Sequence, residues 1–342
     1  MKSVLVTGAS GYIGSILVPW LLNHNYKVIA VDRFFFGDNL DDHPNLIKLK
    51  LDSRQITKEQ LKGVFAVIDL VAISNDPSGD LFENITMDIN CHGRLRCATL
   101  AKEVGVQRYI LPSSCSIYGF QEGIVDENSE TNALTTYAQA NELAERQILP
   151  LSDENFCVTV IRQATIYGYS PRMRFDLAIN GMVYGAFSKQ ILPLMRNGKQ
   201  YRPMLHVEDT ADIMCQLLQA DVKDINGQVF NAGSNAQNYQ LSELAIIVKD
   251  TFKEHLNTTV DIEMYGDPDH RSYQVNFDKI KSTIGWEPKW DAKKAVVDLS
   301  TRLNEKTLTK TPQSITLNWY KQLLMWDDLL ENIKLDGKLF KL

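Results

Sequence analysis

The sequence has few of the residues that build disulfide scaffolds or metal centres. Its 342 residues include five cysteines (Cys91, Cys97, Cys115, Cys157 and Cys215), an odd number without metal-ligand spacing. Free thiols in a reducing, cytoplasmic compartment are therefore expected. His24, His43 and His92 form no metal constellation, His206 reads as structural, and no metal is expected. No apolar run approaches the ~18 residues of a membrane span. No basic stripe accompanies the net charge of −6, so neither a membrane nor nucleic acid is expected as a partner. The chain opens directly into a strand, without the charged-then-apolar pattern of a signal segment. A Gly-x-Ser-x-Gly elbow is missing, and the one glycine loop lacks the Lys-Ser/Thr ending that phosphoryl transfer requires.

What is present is concentrated in the first fourteen residues. Val4, Leu5 and Val6 read as a buried parallel strand, followed at once by Gly8, Gly11 and Gly14. From Tyr12 to about Asn23 the apolar spacing is helical, through Ile13, Ile16, Leu17, Trp20 and Leu21. Strand, glycine turn and helix N-terminus together make a pyrophosphate site. An isolated glycine triplet is weak evidence; a second strand ending in an acid, Tyr26 to Asp32, supplies the confirming context. A carboxylate at Asp32 suits the ribose hydroxyls of NAD and repels the 2′-phosphate of NADP, while Arg33 beside it keeps NADP open. NAD is the expected cofactor.

Further strands are expected at 45–51, 64–71, 109–111, 157–161 and 229–233, with helices between them, one of which holds Asn90 and Arg94 and another, 134–149, Tyr137 and Asn141. This rhythm predicts an α/β fold: a Rossmann-type doubly wound parallel sheet with a smaller, discontinuous substrate-binding lobe. The loop Val71-Ala72-Ile73 falls at the carboxyl edge of the sheet, where ligands of such folds bind. The aromatic loop Phe34-Phe35-Phe36-Gly37 either walls the adenine pocket or folds onto the core. Residues 1–168, completed by 204–235, form the expected cofactor domain. Segments 169–203 and 236–300 form the second lobe, and 301–342 a C-terminal helical extension, expected to pack on its own chain.

Over about 1–300 the chain resembles the extended short-chain dehydrogenase/reductase family, in its nucleotide-sugar epimerase/dehydratase branch. The motifs are the Gly8/Gly11/Gly14 loop, Asp32, Asp52 followed by Arg54, Asn90, the 113–119 stretch Ser-Ser-Cys-Ser-Ile-Tyr-Gly, Tyr137, and Arg202 before His206-Val-Glu-Asp209. The strings 170–176 and 266–273 are similar to a narrower branch that includes heptose-nucleotide dehydrogenases and exo-glycal-forming dehydratases. The resemblance implies NAD held around Gly8, Gly11, Tyr12, Ile13, Gly14, Asp32, Arg33, Asp52, Ser53, Val71, Ala72, Ile73, Asn90, Tyr137 and Asn141. It implies a nucleoside-diphosphate sugar in the second lobe, whose hydroxyl carbon, commonly C4, gives hydride to the cofactor. Tyr137 is then the base and Ser114 the hydroxyl that orients the sugar oxygen. Arg202 and Arg271 are the implied pyrophosphate ligands, with Arg172, Arg174, Asn180, Thr165 and Asn238 as further substrate contacts. Homodimerisation through the helices around Asn90 and Tyr137 is also implied.

Two departures matter. The family places a lysine four residues after the tyrosine, to lower the phenol's pKa; here that position is Asn141. A free phenol titrates near ~10 and is a poor base at neutral pH without a nearby cation. Three readings stay open: a working enzyme with altered base tuning, in which the oxidised nicotinamide or a Lys or Arg from elsewhere supplies charge, an enzyme disabled by the substitution, or a non-catalytic NAD-binding regulatory protein. The second departure is Cys115-Ser116, where dehydratases of the family carry an acid and a base. Cys115 could serve as the acid, or be a small buried cysteine. The expected function is NAD-dependent modification of a nucleotide sugar through a keto-sugar intermediate, as an epimerase. A nucleotide-sugar 4-dehydrogenase or a dehydratase is the alternative.

Overall fold

The structure, a computed structural model, describes residues 1–266, 271–335 and 337–339. Residues 267–270 of the 266–273 string lie outside them. Seven strands form the central sheet: β1 (Ser3–Thr7), β2 (Lys27–Asp32), β3 (Leu46–Lys50), β4 (Ala66–Asp69), β5 (Arg108–Ser114), β6 (Cys157–Gln163) and β7 (Gln228–Ala232). All pairings are parallel, in the order β3-β2-β1-β4-β5-β6-β7. Helices cover both faces, so β4 and β6 are buried at every residue and read as apolar runs rather than alternating ones. The strand order reverses between β1 and β4, which opens a crevice at their carboxyl ends. Thr7 Oγ1 ties the two ends together there: it donates to the Asp69 carboxylate and accepts from Val71 N at 3.1 Å.

A second core gathers residues far apart in sequence. Helices Ala178–Lys189, Leu241–Leu256 and Ala292–Asn304 pack around Val183, Leu192, Leu244, Val248, Val296 and Leu299. The parallel pair Ile191–Met195 and Asp261–Tyr265 borders them. Tyr201–His206 runs parallel to Thr165–Tyr167 and antiparallel to Asn238–Gln240, and Phe120–Val125 runs parallel to Ser272–Val275. These short strands escape a reading by periodicity, because each is held by a remote partner and not by a pattern of its own.

The C-terminal helix, Thr316–Ile333, docks on its own chain. Trp319 is buried, and its indole Nε1 donates to Phe35 O at 2.6 Å. Tyr320 sets its ring edge-on to Phe35, Phe36 and Phe82, with centroids 5.3–6.4 Å apart. The aromatic loop 34–37 is thus held between this helix and the glycine turn, where Ser10 Oγ donates to Gly37 O at 3.0 Å.

His206 ends its strand and caps the helix Val207–Leu217, with Nδ1 accepting from Glu208 N at 3.2 Å. Its ring stacks on Trp290 at 4.0 Å and lies where any Cβ on Gly168 would fall. Burial pushes its pKa down from 6.5 to about 3. The folded protein therefore keeps it neutral, while the unfolded chain takes up a proton below the ordinary value. Stability from this group is complete above pH 6.5 and is lost as pH falls towards 3, by about 1.4 kcal/mol per unit. The His206→Asn variant, which retains a cap acceptor, is expected to flatten the acid side of a melting-temperature profile. An unchanged slope between pH 6.5 and about 4.5 would assign the acid sensitivity elsewhere.

Candidate active site

The crevice is built from the glycine turn outward. Gly8 has φ +62°, a left-handed conformation that suits glycine, and a Cβ there would stand 3.0 Å from Val71 N. A Cβ on Gly14 would collide with the carbonyl oxygens of Ala9 and Gly8, so only glycine lets the helix start this close to β1. The helix begins at Gly14, two residues later than its apolar spacing suggests, and no side chain caps it at Ile13. Ser15 N and Ile16 N bond to Gly11 O at 3.0 Å and Ile13 O at 3.1 Å, and the positive end of the helix dipole favours an anion at this turn. Tyr12 turns away from that end: its hydroxyl donates to Gly168 O at 2.7 Å and accepts from Asn180 Nδ2 at 3.0 Å.

Asp32 sits at the end of β2, its two oxygens accepting from Ser10 N at 2.9 Å and Phe34 N at 2.7 Å. Burial pushes its pKa up in spite of these bonds. Arg33 pairs with Asp52 at 3.0 Å, and Arg54 grips the same carboxylate at 2.7 Å and Asp88 at 2.6 Å. Held chiefly by its bond from Arg54, Asp52 has its pKa lowered to about 2. Ser53 is buried beside it. Asn90 accepts from Ile73 N at 2.9 Å and donates to Ile73 O at 3.0 Å, bracing the 71–73 loop.

Arg172, expected at the substrate, stands instead against the aromatic loop. Its guanidinium lies 3.7 Å over the Phe36 ring and donates to Thr316 Oγ1 at 3.0 Å. Its buried Nη1 finds no hydrogen-bond partner among the described residues. Burial first, and Arg174 second, lower its pKa to about 9.

The helix Thr136–Ile148 carries the candidate catalytic residues. Thr135 caps it, accepting from Ala138 N at 3.2 Å. Tyr137, Asn141 and Glu145 recur every fourth residue on its inner face. The Tyr137 phenol lies near Ser114, at the end of β5, which helps to hold its pKa down, and its backbone and Cβ pack against Gly79, where an added Cβ would come within 3.2 Å. Burial raises the phenol's pKa; Arg94 is the foremost group opposing this, and Asp76 adds to it. Asn141 is buried, donates to Tyr137 O at 2.9 Å and accepts from Arg94 Nη1 at 3.0 Å. Glu145 accepts from Ser113 Oγ and from Arg162, whose Nη2 approaches to 2.8 Å. This pair escapes a motif reading, although Glu145 falls on the same helical face as Tyr137. Cys115, a candidate acid, points into the core: its thiol is fully buried, donates to Arg162 O at 3.2 Å and has its pKa raised by burial.

The remaining candidates hold loops together. Asn180 is buried and accepts from Gly168 N at 2.9 Å while donating to Arg174 O at 2.9 Å. Arg174 pairs with Asp176 at 2.9 Å and reaches Ser74 Oγ at 3.3 Å. Arg202 donates to Tyr201 O at 2.7 Å and to Arg271 O, beneath which Tyr273 lies 5.3 Å from the guanidinium. Arg271 pairs with Asp76, which also accepts from Thr135 Oγ1 at 2.6 Å. Asn238 exchanges two hydrogen bonds with the Val275 backbone, at 2.8 and 2.9 Å. Thr165 begins the strand paired with Met204.

Residues 4–233, which include the crevice and the Tyr137 helix, match the profile of the NAD dependent epimerase/dehydratase family. The chain belongs to that family. It is 27% identical over 302 residues to UDP-glucuronic acid decarboxylase 4 of Arabidopsis thaliana, covering 84% of this chain and 65% of that protein. It is 28% identical over 306 residues to decarboxylase 6 of the same plant, covering 84% of each. The fold is shared with a UDP-glucose 4-epimerase of Thermotoga maritima with UDP-glucose (TM-score 0.78, 19% identity, 90% of this chain and 100% of that one). It is shared equally with a dTDP-glucose 4,6-dehydratase of Bacillus anthracis in complex with NAD (TM-score 0.78, 24% identity, 92% and 100%). This member of the family fits its cofactor in three ways. The glycine cradle leaves no room for a Cβ at Gly14, the helix start is uncapped, and Arg172 keeps an open buried donor beside Asp32. Arg33, which could greet a 2′-phosphate, is already paired with Asp52, an arrangement that suits NAD. Among the described residues no group of His, Cys, Asp and Glu could hold a metal, and no helix is long and apolar enough to cross a membrane.

Proposed function

We propose that this chain is a nucleotide-sugar-modifying enzyme that works through a keto-sugar intermediate and closes its cycle as an epimerase. The observation that carries the reading is the Tyr137–Ser114 pair at the carboxyl end of β5, on the helix face shared with Asn141 and Glu145. Ser114 orients a secondary hydroxyl of the sugar, and Tyr137 takes its proton as the carbon is oxidised. Bound NAD supplies the oxidised nicotinamide that accepts the hydride and later returns it. Glycines 8, 11 and 14, Asp32 and Arg172 hold that cofactor. Tyr137 returns the proton when the ketone is reduced from its other face. Dehydration is disfavoured because Cys115 is enclosed in the core and Ser116 is no carboxylate base.

The second lobe, 169–203 and 236–300, receives the nucleotide sugar, with Arg202 and Arg271 at its diphosphate. Forked guanidinium donors suit that group. Incubating the protein with a panel of nucleotide sugars, including UDP-glucuronic acid, tests the reading. An epimer formed without net NADH release is the expected product. Carbon dioxide release would reassign the chain to the activity its plant relatives are named for, and no turnover of any sugar would remove the enzyme reading. A homodimer through the Asn90 and Tyr137 helices is part of the proposal, supported by Leu81 and Ile85, which are about half exposed beside them. Light scattering at the monomer mass would exclude it. A cytoplasmic location is supported by five free cysteines, all buried.

A further inference from the structure

Position 141 lacks the lysine that the family's pattern places beside the catalytic tyrosine. The packing shows what stands there instead. The helix Glu83–Met87 runs through a π turn, Asp88–Gly93, into the helix Arg94–Glu103, and such turns concentrate at functional sites. Arg94, the first residue after it, is 2% exposed. Its Nη1 donates to Asn141 Oδ1 at 3.0 Å, and its Nη2 to Asp69 O at 2.6 Å and Pro112 O at 2.8 Å. These three acceptors are neutral amide and carbonyl oxygens, so the bonds position the guanidinium without cancelling its charge. Its Nε has no hydrogen-bond partner among the described residues.

We infer that Arg94 supplies the fixed positive charge for Tyr137, with Asn141 holding it in register four residues along the Tyr137 helix. A lysine and an asparagine–arginine pair thus become two solutions to one electrostatic requirement. The inference rests on the proposed hydride-transfer reading. The other charges that face the phenol are Asp76 and Arg174, and each is already paired, Asp76 with Arg271 and Arg174 with Asp176. On the sheet side of Arg94, the Asp69 carboxylate is taken up by Thr7 and Tyr109, and Cys97 and Tyr109 are buried thiol and phenol. Arg94 is accordingly the foremost influence lowering the phenol's pKa against its burial. It is a positioning residue that acts through Tyr137 and touches no reacting atom.

The test uses the full chain carrying tyrosine labelled with carbon-13 at Cζ, with the Tyr137 signal assigned by its loss in Tyr137→Phe. The Arg94→Gln variant retains an amide donor for the Asp69 and Pro112 carbonyls but no charge. Its Tyr137 titration is expected to move up by about one to two units. The acid limb of kcat against pH should move with it, and turnover at neutral pH should fall about 10- to 100-fold. Adding Asn141→Lys to Arg94→Gln should return both. A Tyr137 signal that stays in place in folded Arg94→Gln overturns the inference. Should Arg94→Gln not fold, Asn141→Lys alone decides. With Arg94 already charged 3.0 Å away, a second cation is expected to lower the melting temperature and bring no gain in turnover. A gain of about tenfold or more would show that the native site lacks its cation, and would overturn the inference. The phenol titration needs no turnover, so its failure is distinct from a failure of the proposed activity.

Discussion

Tyr137→Phe is expected to lower kcat and kcat/KM together by about 10²–10⁴-fold, the usual share of a positioned acid–base group. In free energy that is about 3–5 kcal/mol of transition-state stabilisation. The substitution removes one oxygen. The backbone and Cβ keep their place against Gly79, and the helix keeps its Thr135 cap and its Glu145 anchor. Cofactor binding and melting temperature should therefore stay close to those of the native protein, which separates a lost proton carrier from a damaged site. Turnover within about threefold of native would mean that another group takes the proton.

The largest expected loss of stability is at a residue outside the reaction. Arg162 is buried at the end of β6 and gives Nε and Nη2 to the Glu145 carboxylate at 3.0 and 2.8 Å. Its Nη1 donates to Tyr118 OH at 3.0 Å. Arg162→Met leaves Glu145 as a buried charge with only Ser113 Oγ to meet it among the described residues. Breaking one side of such a pair typically costs about 3–5 kcal/mol, because the remaining ion is neither solvated nor paired. Urea unfolding with an unchanged slope is the measurement. The double variant Arg162→Met/Glu145→Leu should recover much of the loss, since it removes the stranded charge. Equal loss in both variants would place the cost in the Tyr118 contact. The pair matters for function through geometry: it fixes the inner face of the Tyr137 helix on β6, where Arg162 stands in register with Ser113 of β5, one residue from Ser114.

Several elements were legible from local pattern alone. The run Val4–Val6, the three glycines and Asp32 specify a strand, a close turn and an acid, each by chemistry that acts within a few residues. The alternation of apolar runs with helical spacing predicted the parallel sheet, and the structure adds its order. The four-residue step from Tyr137 to Asn141 put both on one helix face, and it extends to Glu145 without further information.

Other assignments depended on which distant segments meet. Asn90, Asn180 and Asn238 are polar residues whose motif positions suggest ligands, yet their amides are engaged with the backbone of Ile73, Gly168 and Arg174, and Val275. Cys115 and Ser114 are neighbours in sequence, but Ser114 ends β5 and caps the 3-10 turn Cys115–Tyr118, and that turn carries the Cys115 thiol into the core. Arg172 meets Phe36 of the 34–37 loop and Thr316 of the C-terminal helix, segments more than 130 residues away on either side. The sequence by itself determined the parallel α/β frame and the glycine turn of the dinucleotide crevice, and its family resemblance named the tyrosine proposed to work there. Only the tertiary structure decided which cation serves that tyrosine. Arg94 and Asn141 lie 47 residues apart, and a buried charge acts through distance in space, which periodicity along the chain does not record.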